Sequence, residues 1–257
     1  MRIIIEKVLL KFFPKLYFGL TRAQDSNDRY LFGFNLIKKN IKDNLSILDV
    51  GCGSGNFYSY INSISKTINY TGIDFDYEKM SKKKFYGKKN FNIISKDLRE
   101  NWDVGEYDFV WSSEVIEHLF DDKKFFKQLV KSTKKNGYII ITTPYLDSYL
   151  SFAKKYGWSI EPSKEEIVGH VKLGYTEQDL VNFGKENSLS LQDIYFISEC
   201  NNFRSKYFFK LNNGLFCYVF NFLYYIGLLR FKRFSSTKKQ INKLNYFSIA
   251  AIYKKIN

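Results

Sequence analysis

Ser46–Phe57, SILDVGCGSGNF, is the stretch that decides the fold. Its apolar run, 47–50, ends in three glycines at positions 51, 53 and 55. This pattern is typical of a buried parallel strand that turns sharply into a helix. A turn without side chains lets a ligand approach the backbone, and the N–H groups that open the next helix face that ligand. The stretch therefore predicts a nucleotide-type binding turn.

The glycine spacing narrows the choice of ligand. Dinucleotide-binding turns favour G-x-G-x-x-G, whereas this turn reads G-x-G-x-G and follows Asp49. A carboxylate at that point repels a pyrophosphate and attracts a positively charged amino group. The turn therefore argues against a nicotinamide dehydrogenase and favours a ligand with a cationic end.

The composition and net charge of the chain indicate which kinds of partner and which cellular compartment to expect. The chain has 257 residues and a formal net charge of +14, which is typical of proteins that meet a polyanion such as nucleic acid or an anionic membrane. Much of this charge falls in lysine pairs on predicted helix faces, and no Arg-rich stretch is present, so nucleic acid is an unlikely partner. Three cysteines without metal-type spacing indicate a reducing compartment, and we expect a cytoplasmic protein.

Strand and helix patterns alternate along most of the chain. Strands are predicted at 46–50, 69–74, 91–95, 107–111, 138–143, 189–198 and 247–253, and helices at 30–39, from 54, after 74, at 121–135 and at 176–186. Such alternation predicts an α/β fold with a parallel sheet covered by helices on both faces. Ligands bind such sheets beyond the carboxyl ends of the strands.

Three segments depart from this alternation. Residues 1–44 are predicted to form a helical N-terminal segment, and residues 144–175 a lid-like insertion with weak periodicity. A second insertion, 199–246, contains an uncharged apolar run at 214–231 flanked by basic residues. It favours a helix lying on an anionic membrane surface, at the inner face of the membrane, although a buried helix or an oligomer contact is equally compatible with the run.

Acidic residues follow two further strands. Asp74 lies about twenty residues after the glycine turn, where a carboxylate can accept hydrogen bonds from both hydroxyls of a ribose. Phe75 can lie against a base, and Asp97 can accept a hydrogen bond from an exocyclic amine. Acids at three successive strand ends therefore outline an adenosine site.

In this order the motifs ILDVGCGSG, GIDFD, KDL and YDFVWSSEVIEHL resemble those of the class I S-adenosylmethionine-dependent methyltransferases. The resemblance covers roughly 44–187 and implies a Rossmann-like, seven-stranded, mostly parallel sheet with an antiparallel last strand at 247–253. It also implies a methyltransferase domain over 45–257. The cofactor-binding residues that it implies are Asp49, Gly51, Gly53, Gly55, Asp74, Phe75, Asp97, Leu98 and Glu114.

Within that family, EVIEHL and the later GHVKLGYTEQDL look most like the ubiquinone-biosynthesis O-methyltransferase branch. The branch implies O-methylation of a small-molecule, glycan or lipid-linked acceptor. An RNA 2′-O-methyltransferase and a non-catalytic, membrane-associated cofactor-binding protein remain alternatives. The oligomeric state is left open by the sequence.

EVIEHL also carries its own chemistry. If it opens the helix after the fourth strand, Glu114, Glu117 and His118 stand at i, i+3 and i+4 on one helix face. With His170 from the predicted lid they resemble the metal site of small-RNA 3′-end 2′-O-methyltransferases. Oxygen-rich ligation favours Mg²⁺ or Mn²⁺, which would activate an acceptor hydroxyl. Alternatively, His118 acts as a general base without a metal. The predicted catalytic residues are Glu117, His118 and His170.

Overall fold

A computed structural model describes residues 24–62, 67–75, 90–157, 159–166, 169–199, 234–237 and 242–256. The helices are α1 (Gln24–Lys39), α2 (Asn56–Ile61), α3 (Asp122–Lys131), α4 (Leu146–Tyr156) and α5 (Glu177–Glu186), with 3-10 turns at Ile116–His118 and Lys243–Asn245. The strands are β1 (Ser46–Val50), β2 (Asn69–Asp74), β3 (Phe91–Ser95), β4 (Tyr107–Ser113), β5 (Thr133–Pro144), β6 (Leu189–Glu199), β7 (Phe234–Ser236) and β8 (Tyr246–Lys255).

The strands form one mixed sheet in the order β3-β2-β1-β4-β5-β8-β6-β7. Strands β1 to β5 pair in parallel, and β8 runs antiparallel between β5 and β6. The predicted fold class and the antiparallel last strand are confirmed. The predicted count of seven strands is wrong, because the described residues form eight. The additional strand, β7, pairs with β6 over three residues and is too short to leave a periodic signal in the sequence.

Parallel pairing brings the ends of β1, β2, β4 and β5 to one edge of the sheet, called the carboxyl edge below. Val50 is level with Ile73 on one side and with Ser112 on the other, and Ser113 is level with Thr142. Residues that follow these strands are therefore neighbours although they are far apart in sequence. This is the edge at which parallel α/β sheets bind ligands.

Helices cover both faces of the sheet. Alternate residues of β4 point to opposite sides, so that Val110 packs with α3 and α5 whereas Trp111 packs with α1 and α2. On the second side, Trp111 stacks on Phe57 of α2 with ring centroids 4.6 Å apart. Burial on two faces explains the nearly continuous apolar runs of the central strands.

Two helix predictions have different outcomes. The helix predicted at 176–186 is present as α5, and Thr176 caps it: its hydroxyl accepts from Asp179 N–H while the Asp179 carboxylate accepts from Thr176 N–H. The predicted lid-like segment, by contrast, begins with α4, which its weak periodicity did not reveal.

Several predictions fall outside the described residues. These are the structure of 1–23, the lysine-rich helix after β2, most of the insertion 199–246 and the apolar run 214–231. Within the part of the chain that is described, no helix is both long and apolar enough to span a bilayer.

Candidate functional site

The glycine turn begins at the end of β1. Gly51, Gly53 and Gly55 all have positive φ angles, of 74°, 51° and 65°. The N–H groups of Gly51 and Cys52 both donate to the carbonyl of Ile73 in β2, at 2.9 and 3.1 Å, and so fix the turn against the neighbouring strand. A left-handed conformation is costly for residues with a side chain, which explains the glycines at these positions.

Gly51 and Gly53 differ in the space around them. A Cβ atom on Gly51 would lie 2.3 Å from Val115 Cγ2, so this glycine is needed for packing. A Cβ atom on Gly53 would meet no atom within 4 Å. The absent side chain of Gly53 therefore faces open space at the carboxyl edge, where a ligand can approach the backbone.

This difference predicts separate effects for two matched substitutions. We expect Gly51→Ala to lower the free energy of unfolding by roughly 2–5 kcal/mol, because it adds a clash to a strained φ. Gly53→Ala should cost only about 1 kcal/mol yet weaken ligand binding at the turn at least tenfold, measured with S-adenosylhomocysteine, the probe that the family resemblance implies. Thermal unfolding and calorimetric titration measure both, and equal stability losses in the two variants would contradict the assignment.

Asp49 lies beside the turn in β1. It is buried, and its carboxylate accepts a hydrogen bond from the Tyr70 hydroxyl. Burial raises the pKa of Asp49 to about 7; the Tyr70 hydrogen bond lowers it and the nearby Asp74 charge raises it. A buried carboxylate near its ionisation point is well placed to pair with a cationic ligand group.

Asp74 ends β2 on the other side of the turn. Its Oδ2 accepts from Gly53 N–H at 2.8 Å, so the carboxylate lies directly against the open side of the turn. Phe75 follows immediately, and 53% of its surface is exposed. The structure therefore places Asp49, Gly53 and Asp74 close together, with Phe75 next to Asp74 in the chain. Their part in cofactor binding stays a prediction.

Asp97 and Leu98 follow β3, the next strand along the edge. Asp97 accepts from the backbone N–H and the guanidinium of Arg99, and the hydrogen bonds of the Arg99 side chain lower the pKa of Asp97. Arg99 also approaches Glu166, at 3.9 Å. Leu98 is partly buried against the core. The arginine contact keeps Asp97 ionised, which suits a hydrogen-bond acceptor.

EVIEHL does not open an α-helix, so the predicted helical face is wrong. Glu114 adopts a left-handed conformation, with φ 56°, and its N–H donates to the Thr142 carbonyl in β5. A 3-10 turn covers Ile116–His118, Leu119 is extended, and α3 begins only at Asp122. The bond to β5 turns the chain back at Glu114, which prevents regular helix geometry there.

The turn nevertheless brings three of the four predicted metal ligands together. Ligand atoms of Glu117, His118 and His170 all lie within 4.8 Å of one another. The rings of His118 and His170 are nearly perpendicular, with centroids 4.7 Å apart. Glu114 is not part of this cluster as far as the described residues go, so the predicted four-residue set becomes a three-residue cluster.

Glu117 is fully buried in this cluster. Its Oε2 accepts from the Thr143 hydroxyl at 3.2 Å, whereas its Oε1 has no hydrogen-bond partner among the described residues. Burial, and then the Glu114 charge, raise the pKa of Glu117. An unpaired carboxylate oxygen in a buried position is costly unless a proton or a cation satisfies it.

His118 and His170 complete the cluster. His118 Nδ1 lies 2.9 Å from the Gly169 carbonyl, which can only accept, so Nδ1 carries the proton and the lone pair is on Nε2. Burial, and then the neighbouring His118, lower the pKa of His170. The lowered pKa favours the neutral form of the His170 ring, which offers a lone pair to a ligand.

Arg29 is a site residue that sequence reasoning missed. Its Nε lies 3.7 Å from Glu114 Oε1, and its Nη1 donates to the Ser248 hydroxyl at 3.5 Å. The side chain is 11% exposed and brings a positive charge from α1 to the carboxyl edge. Only the docking of α1 on the sheet places it there, so no local pattern could have identified it.

A cavity of about 590 Å³ lies beside the site, between α3, α5 and residues 171–175. None of the predicted cofactor or metal residues lines it. Four of its charged side chains are paired, Asp122 with Lys172 and Lys123 with Glu186, and the Asp179 carboxylate accepts from Thr176 N–H. The cavity is therefore separate from the glycine turn and from the Glu117 cluster.

Comparisons with protein families, curated relatives and solved structures all find methyltransferases. A family model described as a methyltransferase domain matches residues 23–193, more than half of the chain. The chain is 35% identical over 102 residues to the ubiquinone biosynthesis O-methyltransferase of Rickettsia typhi, which is 38% of this chain and 41% of that protein. It is 31% identical over 160 residues to the chloroplastic tocopherol O-methyltransferase of Arabidopsis thaliana, 58% of this chain and 44% of that protein.

These matches span less than half the length of either relative. Among solved structures, an S-adenosylmethionine-dependent methyltransferase from Clostridium acetobutylicum superposes with a TM-score of 0.55 and 14% identity, covering 88% of this chain and 89% of that one. At this level of identity the likeness concerns the fold.

Proposed function

The chain belongs to this methyltransferase-domain family, and we propose that it transfers the methyl group of S-adenosylmethionine to a hydroxyl group of a small acceptor. The observation that carries the proposal is the position of the Glu117, His118 and His170 cluster, at the same sheet edge as the glycine turn. One part of the site suits the methyl donor and the other suits an oxygen nucleophile.

The charges and the open space around the glycine turn suit the methyl donor; we call this part of the site the donor half. Asp49 supports the amino group of the methionine part, and Asp74 supports the ribose hydroxyls. Arg29 is the cation that we assign to the methionine carboxylate, because it brings its charge to the same edge. Gly53 leaves the space for the donor, and Asp97 accepts from the adenine amine.

This assignment predicts a pH-dependent affinity. Because the pKa of Asp49 is about 7 in the ligand-free protein and a cationic amino group favours the ionised carboxylate, the affinity for S-adenosylhomocysteine should rise from pH 6 to pH 8. The expected slope is at most about tenfold per pH unit below 7. Calorimetric titration at pH 6, 7 and 8 measures it. A flat profile would contradict the role of Asp49.

The acceptor half fits a divalent cation. Ligand atoms of Glu117, His118 and His170, one from each, lie within 4.8 Å of one another, and Glu117 keeps one oxygen without a partner among the described residues. His118 Nδ1 is held by a carbonyl, as in many metal-binding histidines. We propose Mg²⁺ or Mn²⁺ as the ion, since a carboxylate and exchangeable waters suit both, although two imidazoles also accept other divalent ions. When bound, such an ion lowers the pKa of an acceptor hydroxyl.

The residues themselves position the acceptor. Transfer forms an O–CH₃ bond, breaks the S–CH₃ bond of the sulfonium and releases the hydroxyl proton. Glu117 is held by Thr143, and His118 is held by Gly169, so the groups that face the acceptor oxygen keep fixed orientations. Such fixed geometry is what in-line displacement requires. In the absence of an ion, His118 Nε2 offers a lone pair for the proton.

Oxygen as the receiving atom is supported by the names of the relatives, which are both O-methyltransferases. We propose a small-molecule, glycan or lipid-linked acceptor. A membrane contact of residues 214–231, as predicted from the sequence, would favour the lipid-linked acceptor over the other two. Sedimentation with anionic vesicles addresses that contact separately.

The test uses methyl-labelled S-adenosylmethionine with the full chain and separate pools of catechols, glycans, lipid-linked sugars and RNA. We expect label on an oxygen of a product from one of the first three pools, identified by mass spectrometry, and loss of transfer in excess chelator. Label on nitrogen or carbon, or on RNA alone, would overturn the proposed acceptor class. Full transfer in chelator would overturn the metal component only.

A further inference from the structure

Residues 169–175, called the strap below, carry His170 into the cluster. Several backbone contacts tie the strap to its surroundings, among them a hydrogen bond from Ser163 N–H to the His170 carbonyl at 2.7 Å. The Gly169 carbonyl accepts from His118 Nδ1 at 2.9 Å, Lys172 N–H donates to the Glu117 carbonyl at 3.1 Å, and Tyr175 N–H donates to the Pro144 carbonyl at 3.0 Å. The position of His170 relative to Glu117 and His118 thus depends on how the strap is held.

One side-chain network fastens the strap to α3. The Tyr175 hydroxyl donates to Asp122 Oδ2 at 2.9 Å, and Lys172 Nζ forms an ion pair with the same oxygen. The Tyr175 oxygen also lies 3.3 Å from the Ile116 carbonyl, at the start of the 3-10 turn that carries Glu117 and His118. The network therefore joins both pieces of chain that supply the cluster.

Burial makes the tyrosine contact the stronger part of this network. Tyr175 is 3% exposed and Asp122 is 8% exposed, whereas the Lys172 side chain is 40% exposed. Breaking a buried hydrogen bond to a carboxylate costs more than breaking a solvent-screened ion pair. Next to Tyr175, a Cβ on Gly174 would lie 2.4 Å from the Pro144 carbonyl oxygen, so the strap packs closely against the end of β5 there.

We propose that Tyr175 and Asp122 are positioning residues that hold the strap where His170 can share one divalent ion with Glu117 and His118. The inference rests on the proposed metal component of the function. Neither residue belongs to the cluster, and both act through the strap and the 3-10 turn. Removing the Tyr175 hydroxyl is therefore expected to loosen ion binding without altering the cofactor turn.

The test is Tyr175→Phe, measured with MnCl₂ by electron paramagnetic resonance and with CoCl₂ by visible absorption. We expect Mn²⁺ affinity to fall about tenfold or more, as for other groups that orient metal ligands, and the Co²⁺ spectrum to change. Affinity for S-adenosylhomocysteine should stay within about twofold, because the hydroxyl does not touch the glycine turn. Asp122→Ala should behave alike, and Asp122→Asn, which keeps an acceptor oxygen, should recover most of the Mn²⁺ affinity.

Tyr253→Phe is the matched control. Tyr253 is also buried and its hydroxyl donates to the Leu180 carbonyl at 2.6 Å, away from the strap. It should lose a similar amount of stability and keep its Mn²⁺ affinity. Unchanged Mn²⁺ binding in Tyr175→Phe, or an equal loss in the control, would overturn the positioning role. If the unsubstituted protein transfers methyl groups but binds no Mn²⁺, both the metal component and this inference fail while the methyltransferase proposal stands.

Discussion

Asp49→Asn is expected to abolish high-affinity cofactor binding while leaving the ligand-free protein more stable at pH 8. The two effects have one cause, the burial of the carboxylate. Removing one partner of a desolvated charge pair typically costs about 2–5 kcal/mol, so the affinity for S-adenosylhomocysteine should fall roughly 30-fold or more. Calorimetric titration measures this loss.

The stability gain follows from proton binding. The pKa of Asp49 is about 7 in the folded protein, above its ordinary value of 3.8, so between these values the folded state holds a proton that the unfolded chain has released. Stability therefore falls as pH rises through this range, and the full cost is present above pH 7. Asparagine carries no such cost and can still accept from Tyr70. We expect a gain of about 1–2 kcal/mol at pH 8, or roughly 3–6 °C in Tm.

Asp108→Asn is the matched control, since Asp108 is the second residue of the neighbouring strand β4 and lies at the opposite edge of the sheet. Although burial raises the pKa of Asp108, hydrogen bonds from Lys42, Ser46 and Lys134 hold it below its ordinary value. Its ionised form therefore stabilises the fold above pH 4, and this stabilisation is lost as pH falls through the lowered pKa. Asp108→Asn should lower Tm at pH 8 and leave cofactor affinity unchanged. Lower stability with normal binding in Asp49→Asn would contradict our assignment.

Glu117→Gln is expected to lower the rate of methyl transfer by roughly 10²–10³-fold with cofactor affinity unchanged. The substitution keeps the shape of the side chain and its bond to Thr143, but it removes the charge that the unpaired oxygen supplies. Mn²⁺ binding should weaken in parallel. Because a buried carboxylate is replaced by a neutral amide, we expect no loss of thermal stability from the charge itself.

Single-turnover transfer with saturating cofactor is the measurement. Glu106→Gln provides the control, because Glu106 is largely exposed and pairs only with Lys255 among the described residues. It should transfer at the original rate. Near-normal transfer in Glu117→Gln would remove Glu117 from the site and leave His118 as the remaining candidate for accepting the acceptor's proton.

The strands and the positions of Asp49, Gly53 and Asp74 at one sheet edge were predictable because their signals are local. An apolar run that ends in glycines indicates a strand buried on two faces, followed by a turn with positive φ. Val50 is buried at the end of β1, and Gly51 has a positive φ. Asp74 was predictable because parallel strands end at one edge, so a residue's position in its strand fixes its neighbours. The predicted family resemblance, which depends on these motifs, is confirmed.

The acceptor half was only partly predictable because tertiary contacts set it. The Glu114 N–H bonds to β5, which turns EVIEHL away from helix geometry, and the sequence spacing of Glu114 and Glu117 does not report that bond. His170 is brought to Glu117 by the strap, across more than fifty residues. Arg29 reaches Glu114 only because α1 packs on the sheet. Such contacts depend on the assembled fold and leave no periodic pattern.

The most direct test of the account is an anomalous diffraction map from crystals grown with S-adenosylhomocysteine and soaked in MnCl₂. Our account predicts the cofactor product against Gly53 and Asp74, and one Mn²⁺ peak bounded by Glu117, His118 and His170. Absence of cofactor density at the glycine turn would contradict the proposed donor site. Cofactor density with no peak at that cluster, together with undiminished transfer in excess chelator, would contradict the metal component.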